Sequence, residues 1–215
     1  HGTLVAPKDL EAGGTWWGVR DGALFAGITN RFGAPPDRTR RSRGELVLQA
    51  LTHTDVGAAA DAIAALEASA YNSFHLVLAS AEGAEVVWSD GKTLHREALA
   101  PGTHHVTERS FGAARSGRHV ALDAALEQLG EASEPPDAAT LAGLLGQHAG
   151  DRGFDGTCVH MPSWTYGTRS SSMLWLGGVP RLLFADGPPC TTSFDDVSGL
   201  LAGGSPRLER TTSAT

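Results

Sequence analysis

A short polar segment, Tyr-Gly-Thr-Arg-Ser-Ser at residues 166–171, carries side chains suited to binding an anion. The guanidinium of Arg169 can hold a ligand carboxylate through two parallel hydrogen bonds, and the hydroxyl of Ser170 can add a further donor. The ring of Tyr166 belongs to the same segment and is a candidate for contact with the ligand. The segment therefore predicts a site for a small carboxylate, with a structural arginine that fastens a loop as the alternative.

Histidine and cysteine side chains supply the other groups that could do chemistry. His104 and His105 are adjacent, so on a strand they point to opposite faces and only one could enter a pocket. Cys158 and His160 are two residues apart, which on a strand places the thiol and the imidazole on one face. A nucleophile–base pair is conceivable there, but a buried thiol beside a histidine is the commoner arrangement. The spacing of Cys158 and Cys190 from the histidines fits no zinc-binding pattern, and we expect no metal site.

Composition limits the classes of protein to which the chain could belong. Its 215 residues, 41% hydrophobic and 19% charged, are sufficient for one globular domain. The net charge of −7 argues against a nucleic-acid surface, because phosphate binding requires clustered lysine and arginine. The one basic run, over residues 38–43, is interpreted as a solvated loop, with anion binding as the alternative.

The expected partner is a small molecule, and the expected location is cytoplasmic. No apolar stretch approaches the roughly 18 residues that a membrane span needs. Two cysteines cannot form a disulfide framework, which favours a reducing compartment. The oligomeric state cannot be inferred from the sequence.

Turn signals and hydrophobic periodicity predict the elements that position these residues. Asp21-Gly22 separates two apolar runs and predicts a β-hairpin, on which Trp16 is a candidate to line a pocket. Ser42 and Glu45 form a capping-box pattern at the start of a helix. Along the sequence, predicted helices occur in pairs between groups of predicted antiparallel strands. This order predicts an α+β sandwich with the helices outside. Strands are predicted over 74–80, 85–89, 93–98, 104–107, 157–161, 172–176 and 181–185, and further helices over 56–68, 120–129 and 138–148, the last with His148 on its apolar face.

Six segments in a fixed order carry a family resemblance. They begin at Asp9, Phe25, Ser42, Tyr71, Tyr166 and Ala185, and include Gly-Gly-Thr-Trp-Trp at 13–17 and Phe-Ala-Gly-Ile-Thr-Asn-Arg at 25–31. Gly-Gly-Thr-Trp alone would be a weak signal, but the ordered set resembles the NRDE, or transport-and-Golgi-organisation, family over nearly the whole chain.

The resemblance implies a four-layer αββα sandwich of the N-terminal-nucleophile-hydrolase (Ntn) type. We expect a single domain over residues 1–201 and a flexible C-terminal tail over 202–215. Members of the family open with a cysteine after the initiator methionine and carry an Asn-Arg-Asp-Glu motif soon after it. Neither is present here, so we expect a domain that is N-terminally truncated and lacks its first strands and its nucleophile.

Two functions follow from the resemblance. Eukaryotic members are associated with haem trafficking, which implies a non-catalytic handler of a small amphipathic ligand. Haem is then the leading ligand, no cofactor is certain, and His104 or His105 is the candidate to bind the iron.

The alternative is a cysteine amidohydrolase of the Ntn type that acts on C–N bonds of small amides and is inactive without its nucleophile. In related acylases an oxyanion donor lies at the end of a strand similar to residues 25–30, which points to Thr29 and Asn30. A strand end whose asparagine caps a turn would look the same. Where the family commonly places a second donor this chain has Glu108, a carboxylate that donates only when protonated, and we therefore favour the carrier.

Overall fold

The computed structural model describes residues 2–10, 13–33, 35–129, 136–149 and 153–203. The first part of the chain forms a six-stranded antiparallel sheet whose strands are neighbours in sequence order. Its elements are β1 (Leu4–Val5), β2 (Trp17–Arg20), β3 (Leu24–Asn30), α1 (Gly44–Ala50), α2 (Val56–Ala64), β4 (Phe74–Ala79), β5 (Ala84–Ser89) and β6 (Leu94–Leu99).

The predicted hairpin and the predicted three-stranded meander are both confirmed. Asp21 and Gly22 have φ angles of 53° and 65°, the left-handed backbone on which the tight turn between β2 and β3 is built, and the N–H of Ala23 closes that turn on the carbonyl of Arg20 at 2.9 Å. Glycine reaches that region without strain, and aspartate tolerates it better than most residues. The turn fixes the register of β2 on β3, with Trp17 opposite Gly27.

The second part of the chain contains smaller elements. They are α3 (Gly117–Leu129), α4 (Ala138–Leu145), β7 (His160–Met161), β8 (Tyr166–Gly167), β9 (Ser171–Trp175), β10 (Arg181–Ala185) and β11 (Asp195–Asp196). Strands β9 to β11 form an antiparallel sheet in the order β11-β10-β9, and β7 pairs with β8.

Apolar burial defines the layers. Leu46 of α1 and Ile63 of α2 are fully buried against Leu76 of β4. On the opposite side of the sheet, Val19 of β2 packs with Leu182 of β10. Each such buried side chain contributes on the order of 1.5–3 kcal/mol. Helix α4 contacts β9 of the second sheet. The protein is thus α+β with antiparallel sheets, as predicted, and this order of layers is compatible with an αββα sandwich.

One predicted strand is wrong and another is shorter than predicted, because several of their backbone N–H groups bond to partners outside a β-ladder. Residues 104–107 are not a strand; the backbone N–H of Thr107 donates to the hydroxyl of Ser110 at 3.0 Å. The strand predicted over 157–161 is reduced to β7. The N–H of Cys158 donates to the carbonyl of Gln147 at 3.0 Å, and the N–H of Val159 donates to the Thr168 hydroxyl at 2.9 Å.

The structure also differs from the prediction at the start of α1 and at the end of α4. Helix α1 begins after Arg43, and the predicted capping box is formed only in part. The Ser42 hydroxyl accepts the N–H of Gly44 at 3.3 Å, whereas the Glu45 carboxylate accepts from Arg41 at 2.6 Å. Helix α4 ends at Leu145, so His148 lies in the following loop and not on a helix face.

Within the described ranges, every helix is too short or too polar to cross a bilayer. The predicted tail over 202–215 lies, from residue 204 onward, outside the described residues.

Candidate functional site

A cleft of about 1130 Å³ opens at the C-terminal end of β3. Its other walls come from the loop after β3, the two residues before β4, the segment that leads from the loop after β6 into α3, and the segment that leads into β8. We call it the arginine cleft, because five guanidinium groups line it beside two carboxylates and three aromatic rings. These residues are Arg31, Arg43, Arg109, Arg115, Arg118, Glu108, Asp155, Phe32, Phe154 and Tyr166.

Backbone hydrogen bonds continue beyond the end of β3 and position this edge. Thr29 and Asn30, the last residues of the strand, pair with β4 and line the cleft. The N–H of Arg31 then donates to the carbonyl of Ser73 at 3.1 Å. The N–H of Phe32 donates to the carbonyl of Glu108 at 2.7 Å, which joins β3 to the loop after β6.

Three of the five arginines have no carboxylate within ion-pair distance among the described residues. Arg31 donates to the carbonyl of Phe111 at 3.0 Å. Arg43 donates to the carbonyl of Ser73 at 3.1 Å, and burial lowers the pKa of its guanidinium, which stays charged. The guanidinium of Arg109 lies 3.6 Å from the centre of the Phe32 ring. These cations are fixed by neutral groups, so their charge remains available to a ligand.

The other two arginines are neutralised. Arg118 lies 3.2 Å from the Glu108 carboxylate and also donates to the carbonyl of Phe154. Arg115 pairs with Asp123 of α3. The cleft is nevertheless strongly cationic, because it holds five positive groups and two negative ones in a chain whose net charge is −7.

Exposed aromatic rings form the apolar part of the cleft. The Phe154 ring centre lies 5.7 Å from that of Tyr166, and it packs at 5.4 Å from Trp164 outside the cleft lining. Tyr166 is 59% exposed and Phe32 is 53% exposed. Large rings that remain open to water beside cations can receive the face of a flat apolar ligand.

The predicted site residues fall in different places. Thr29, Asn30 and Tyr166 line the arginine cleft. Trp16 and Ser170 instead line an apolar groove of about 460 Å³ between the two sheets. The other residues that line this groove are Trp17, Phe25, Ala79, Ser171, Ser172, Leu174, Leu176 and Leu182.

The remaining candidates lie outside both cavities. Arg169 is exposed, lines neither the cleft nor the groove, and has no hydrogen-bond partner among the described residues. The His104 ring nitrogen lies 2.7 Å from the carbonyl of Ala100. His105 lines a separate cavity with His119, whose pKa is lowered by burial. That cavity adjoins the cleft through shared Arg109 and Arg115.

Sequence patterns do not indicate four of the cleft arginines, because no motif connects Arg31 with Arg109, Arg115 and Arg118. Arg43 is the fifth, and it ends the basic run for which anion binding is the alternative interpretation. Arg31 directly follows Asn30 and belongs to a segment that carries the family resemblance. The other three lie within ten residues of one another but form no continuous run, and only folding brings them to the same cleft as Arg31 and Arg43.

Comparison with known proteins agrees with the family resemblance. A family model described as Transport and Golgi organisation 2 matches residues 1–178. The Bos taurus protein named "Transport and Golgi organization protein 2 homolog" is 30% identical over 217 residues, an alignment that covers 85% of this chain and 76% of the bovine protein. The chain therefore belongs to the Transport and Golgi organisation 2 family.

Proposed function

We propose that the protein is a non-catalytic handler of a small amphipathic ligand that carries carboxylates, with haem as the leading candidate, and that the arginine cleft binds it. The observation that carries this proposal is the set of three guanidiniums, Arg31, Arg43 and Arg109, without a carboxylate partner among the described residues. Arginine binds carboxylates in a planar, bidentate geometry, and such charge-assisted hydrogen bonds are about twice as strong as neutral ones.

Size and surface chemistry support an amphipathic ligand over a simple anion. A volume of about 1130 Å³ exceeds what an acetate-sized anion would fill. The rings of Phe32, Phe154 and Tyr166 lie next to the arginines and are exposed. A flat ring system with carboxylates at its edge would use both features together.

The cleft would recognise the carboxylates and the ring of haem more readily than its iron. Among the described residues that line the cleft there is no histidine. Of the two histidines predicted to bind the iron, His105 lies closer to the cleft, because it lines a neighbouring cavity that shares Arg109 with the cleft. His104 lines neither the cleft nor that neighbouring cavity. The iron-free porphyrin should therefore bind nearly as well as haem.

The test is a titration with haemin and with protoporphyrin IX, followed by the quenching of tryptophan fluorescence. Trp88 lies under the Arg31 guanidinium at 4.9 Å and would report a ligand in the cleft. Arg109→Gln is the informative variant, because this guanidinium lies over the exposed Phe32 ring and has no ion pair among the described residues, so its loss should leave the fold intact. Loss of one charge-assisted contact should weaken binding about 10- to 100-fold.

Arg169→Gln is the matched control, since Arg169 is an exposed arginine outside the cleft. Equal weakening by both substitutions would show that only net charge matters. The absence of quenching by either porphyrin at micromolar concentration would exclude the proposal.

An amidohydrolase is the second candidate, favoured by the position of Thr29 and Asn30 on the wall of the same cleft. Against it, Glu108 is held as an ion pair by Arg118 and offers no donor to an oxyanion. The test is labelling of the natural gene product by a β-lactam probe that reacts with an N-terminal cysteine. Labelling that Asn30→Ala slows by about 100-fold would support the hydrolase, and an unlabelled protein would exclude it.

A further inference from the structure

Four side chains with soft ligand atoms meet at one point in the C-terminal part of the chain. They are His148 in the loop after α4, Cys158 and His160 around the start of β7, and Cys190 in the loop after β10. Their ligand atoms all lie within 4.8 Å of one another. This group is separate from the arginine cleft, with which it shares no residue.

The distances fit a tetrahedral ion. Zinc binds cysteine sulfur at about 2.3 Å and histidine nitrogen at about 2.0–2.1 Å, so a regular tetrahedron of such ligands has edges of about 3.3–3.8 Å. The two sulfurs are 3.6 Å apart, and the His160 nitrogen lies 3.4 Å from Cys158 Sγ and 3.2 Å from Cys190 Sγ. The His148 and His160 ring centres are 5.1 Å apart, and His148 offers a ring nitrogen within 4.8 Å of the other three ligand atoms.

The surrounding backbone holds the ligands together independently of any ion. The Thr157 hydroxyl donates to the carbonyl of Leu144 at 2.5 Å, which fastens the segment of Cys158 to the end of α4. A Cβ at Gly156 would meet the carbonyl oxygen of Gln147 at 2.8 Å, so the two segments approach as closely as glycine allows. A Cβ at Gly146 would lie 3.6 Å from the Cα of Cys190, which places the third segment against the same helix end.

We propose that His148, Cys158, His160 and Cys190 form a Cys₂His₂ site for a zinc ion that cross-links the loop after α4, β7 and the loop after β10. Two thiolates and two imidazoles are the ligand set that structural zinc sites use. Cys158 is buried while His148, His160 and Cys190 are accessible, so an ion can reach the site from solvent.

The sequence did not indicate this site because its ligands are spaced by 10, 2 and 30 residues. Zinc motifs that can be read from sequence place two ligands two to four residues apart in each of two pairs. Only Cys158 and His160 approach that spacing here. The other two ligands are brought in by the folding of α4 and of the loop after β10.

Cobalt(II) is the probe, because it can replace zinc and its visible absorption spectrum depends on the geometry of its ligands. The purified protein, reduced and stripped of metal, is expected to take up one cobalt ion per chain. It should then show the intense visible bands of tetrahedral cobalt and a near-ultraviolet thiolate-to-cobalt band, both of which zinc removes. Cys158→Ser and Cys190→Ser should each weaken cobalt binding by at least about 100-fold, given that even indirect partners of a metal site are worth 10- to 100-fold.

Two further variants separate ligation from a structural role. Cys190→His keeps four ligands, so tetrahedral cobalt should remain while the thiolate band falls to about half, as expected when one of two thiolates is removed. His104→Ala removes an exposed histidine elsewhere and should leave both bands unchanged. Weak visible bands of octahedral cobalt without a thiolate-to-cobalt band would overturn the proposal. A Cys158–Cys190 disulfide that resists treatment with a reductant would also overturn it.

Discussion

Strands β3, β4 and β5 bury their apolar side chains beneath α1 and α2, whereas α4, which contacts β9, has no fully buried residue. The first region thus derives its stability from hydrophobic burial. In the second region the strands are short, and its cysteine and histidine side chains converge on one point. The six-stranded sheet therefore has a large apolar core on its helix side, while the C-terminal region has fewer buried side chains and a cluster of potential metal ligands.

Core truncation should give the largest difference between the two regions. Leu76→Ala removes a fully buried side chain of β4 and should lower the free energy of unfolding by about 2–5 kcal/mol. Leu144→Ala on the half-buried α4 should cost about 1 kcal/mol or less. Urea denaturation of both variants measures the difference, and equal losses would refute it.

Zinc should stabilise only the C-terminal region. At 100 times its dissociation constant, an ion that binds only the folded state adds about 2.7 kcal/mol. Hydrogen exchange should slow in residues 146–149 and 157–161 on addition of zinc, and chelation should reverse it. Equal protection of β4 and β5 would show that the two regions unfold as one unit.

Acid should weaken the first region through His75 of β4. Its ring is fully buried against Phe111, with Nε2 at 3.1 Å from the Ser110 carbonyl, and burial lowers its pKa from 6.5 to about 4. Between those values the unfolded chain binds a proton that the folded chain excludes, so stability falls as pH drops below about 6.5. The loss from pH 7 to pH 5 should be about 2 kcal/mol.

Urea midpoints measured with a chelator present would test the role of His75. The His75→Gln variant has no titrating ring at this position and should lose this part of the pH dependence. An unchanged dependence in that variant would assign the effect to other groups.

Removal of the negative charge of Glu108 should give the smallest effect. Glu108→Gln frees Arg118 and lowers the negative charge of the cleft. Because partly exposed ion pairs are worth about 0.2–1 kcal/mol, porphyrin affinity should rise by up to about fivefold. The fluorescence titration measures this change, and weaker binding would show that Glu108 contacts the ligand favourably.

Local chemistry explains which parts of the fold could be predicted from the sequence. The β2–β3 hairpin and the β4–β6 meander are specified by adjacent turn residues such as Asp21 and Gly22. Residues 104–107 and 157–159 have strand-like composition, but their backbone groups bond to partners such as Ser110 and Gln147. Neither partner is marked by the strand-like pattern itself, whether it lies three residues away, as Ser110 does from Thr107, or in a separate segment, as Gln147 does from Cys158.

Only some of the residues that line the arginine cleft could be predicted from the sequence. Thr29, Asn30 and Tyr166 were selected and do line the arginine cleft. Trp16 and Ser170, which are also ligand-site candidates, line the groove between the sheets instead. The arginines that dominate the cleft come from segments up to 87 residues apart, Arg31 to Arg118, and their convergence depends on the packing of the loop after β6 against β3.

Hydrogen exchange of the protein with and without protoporphyrin IX tests the role of the arginine cleft most directly. We predict that bound porphyrin slows exchange in residues 29–33 and 108–118 and leaves residues 170–176 unchanged. Slowed exchange confined to residues 16–18 and 170–176 would place the ligand between the sheets and contradict the assignment.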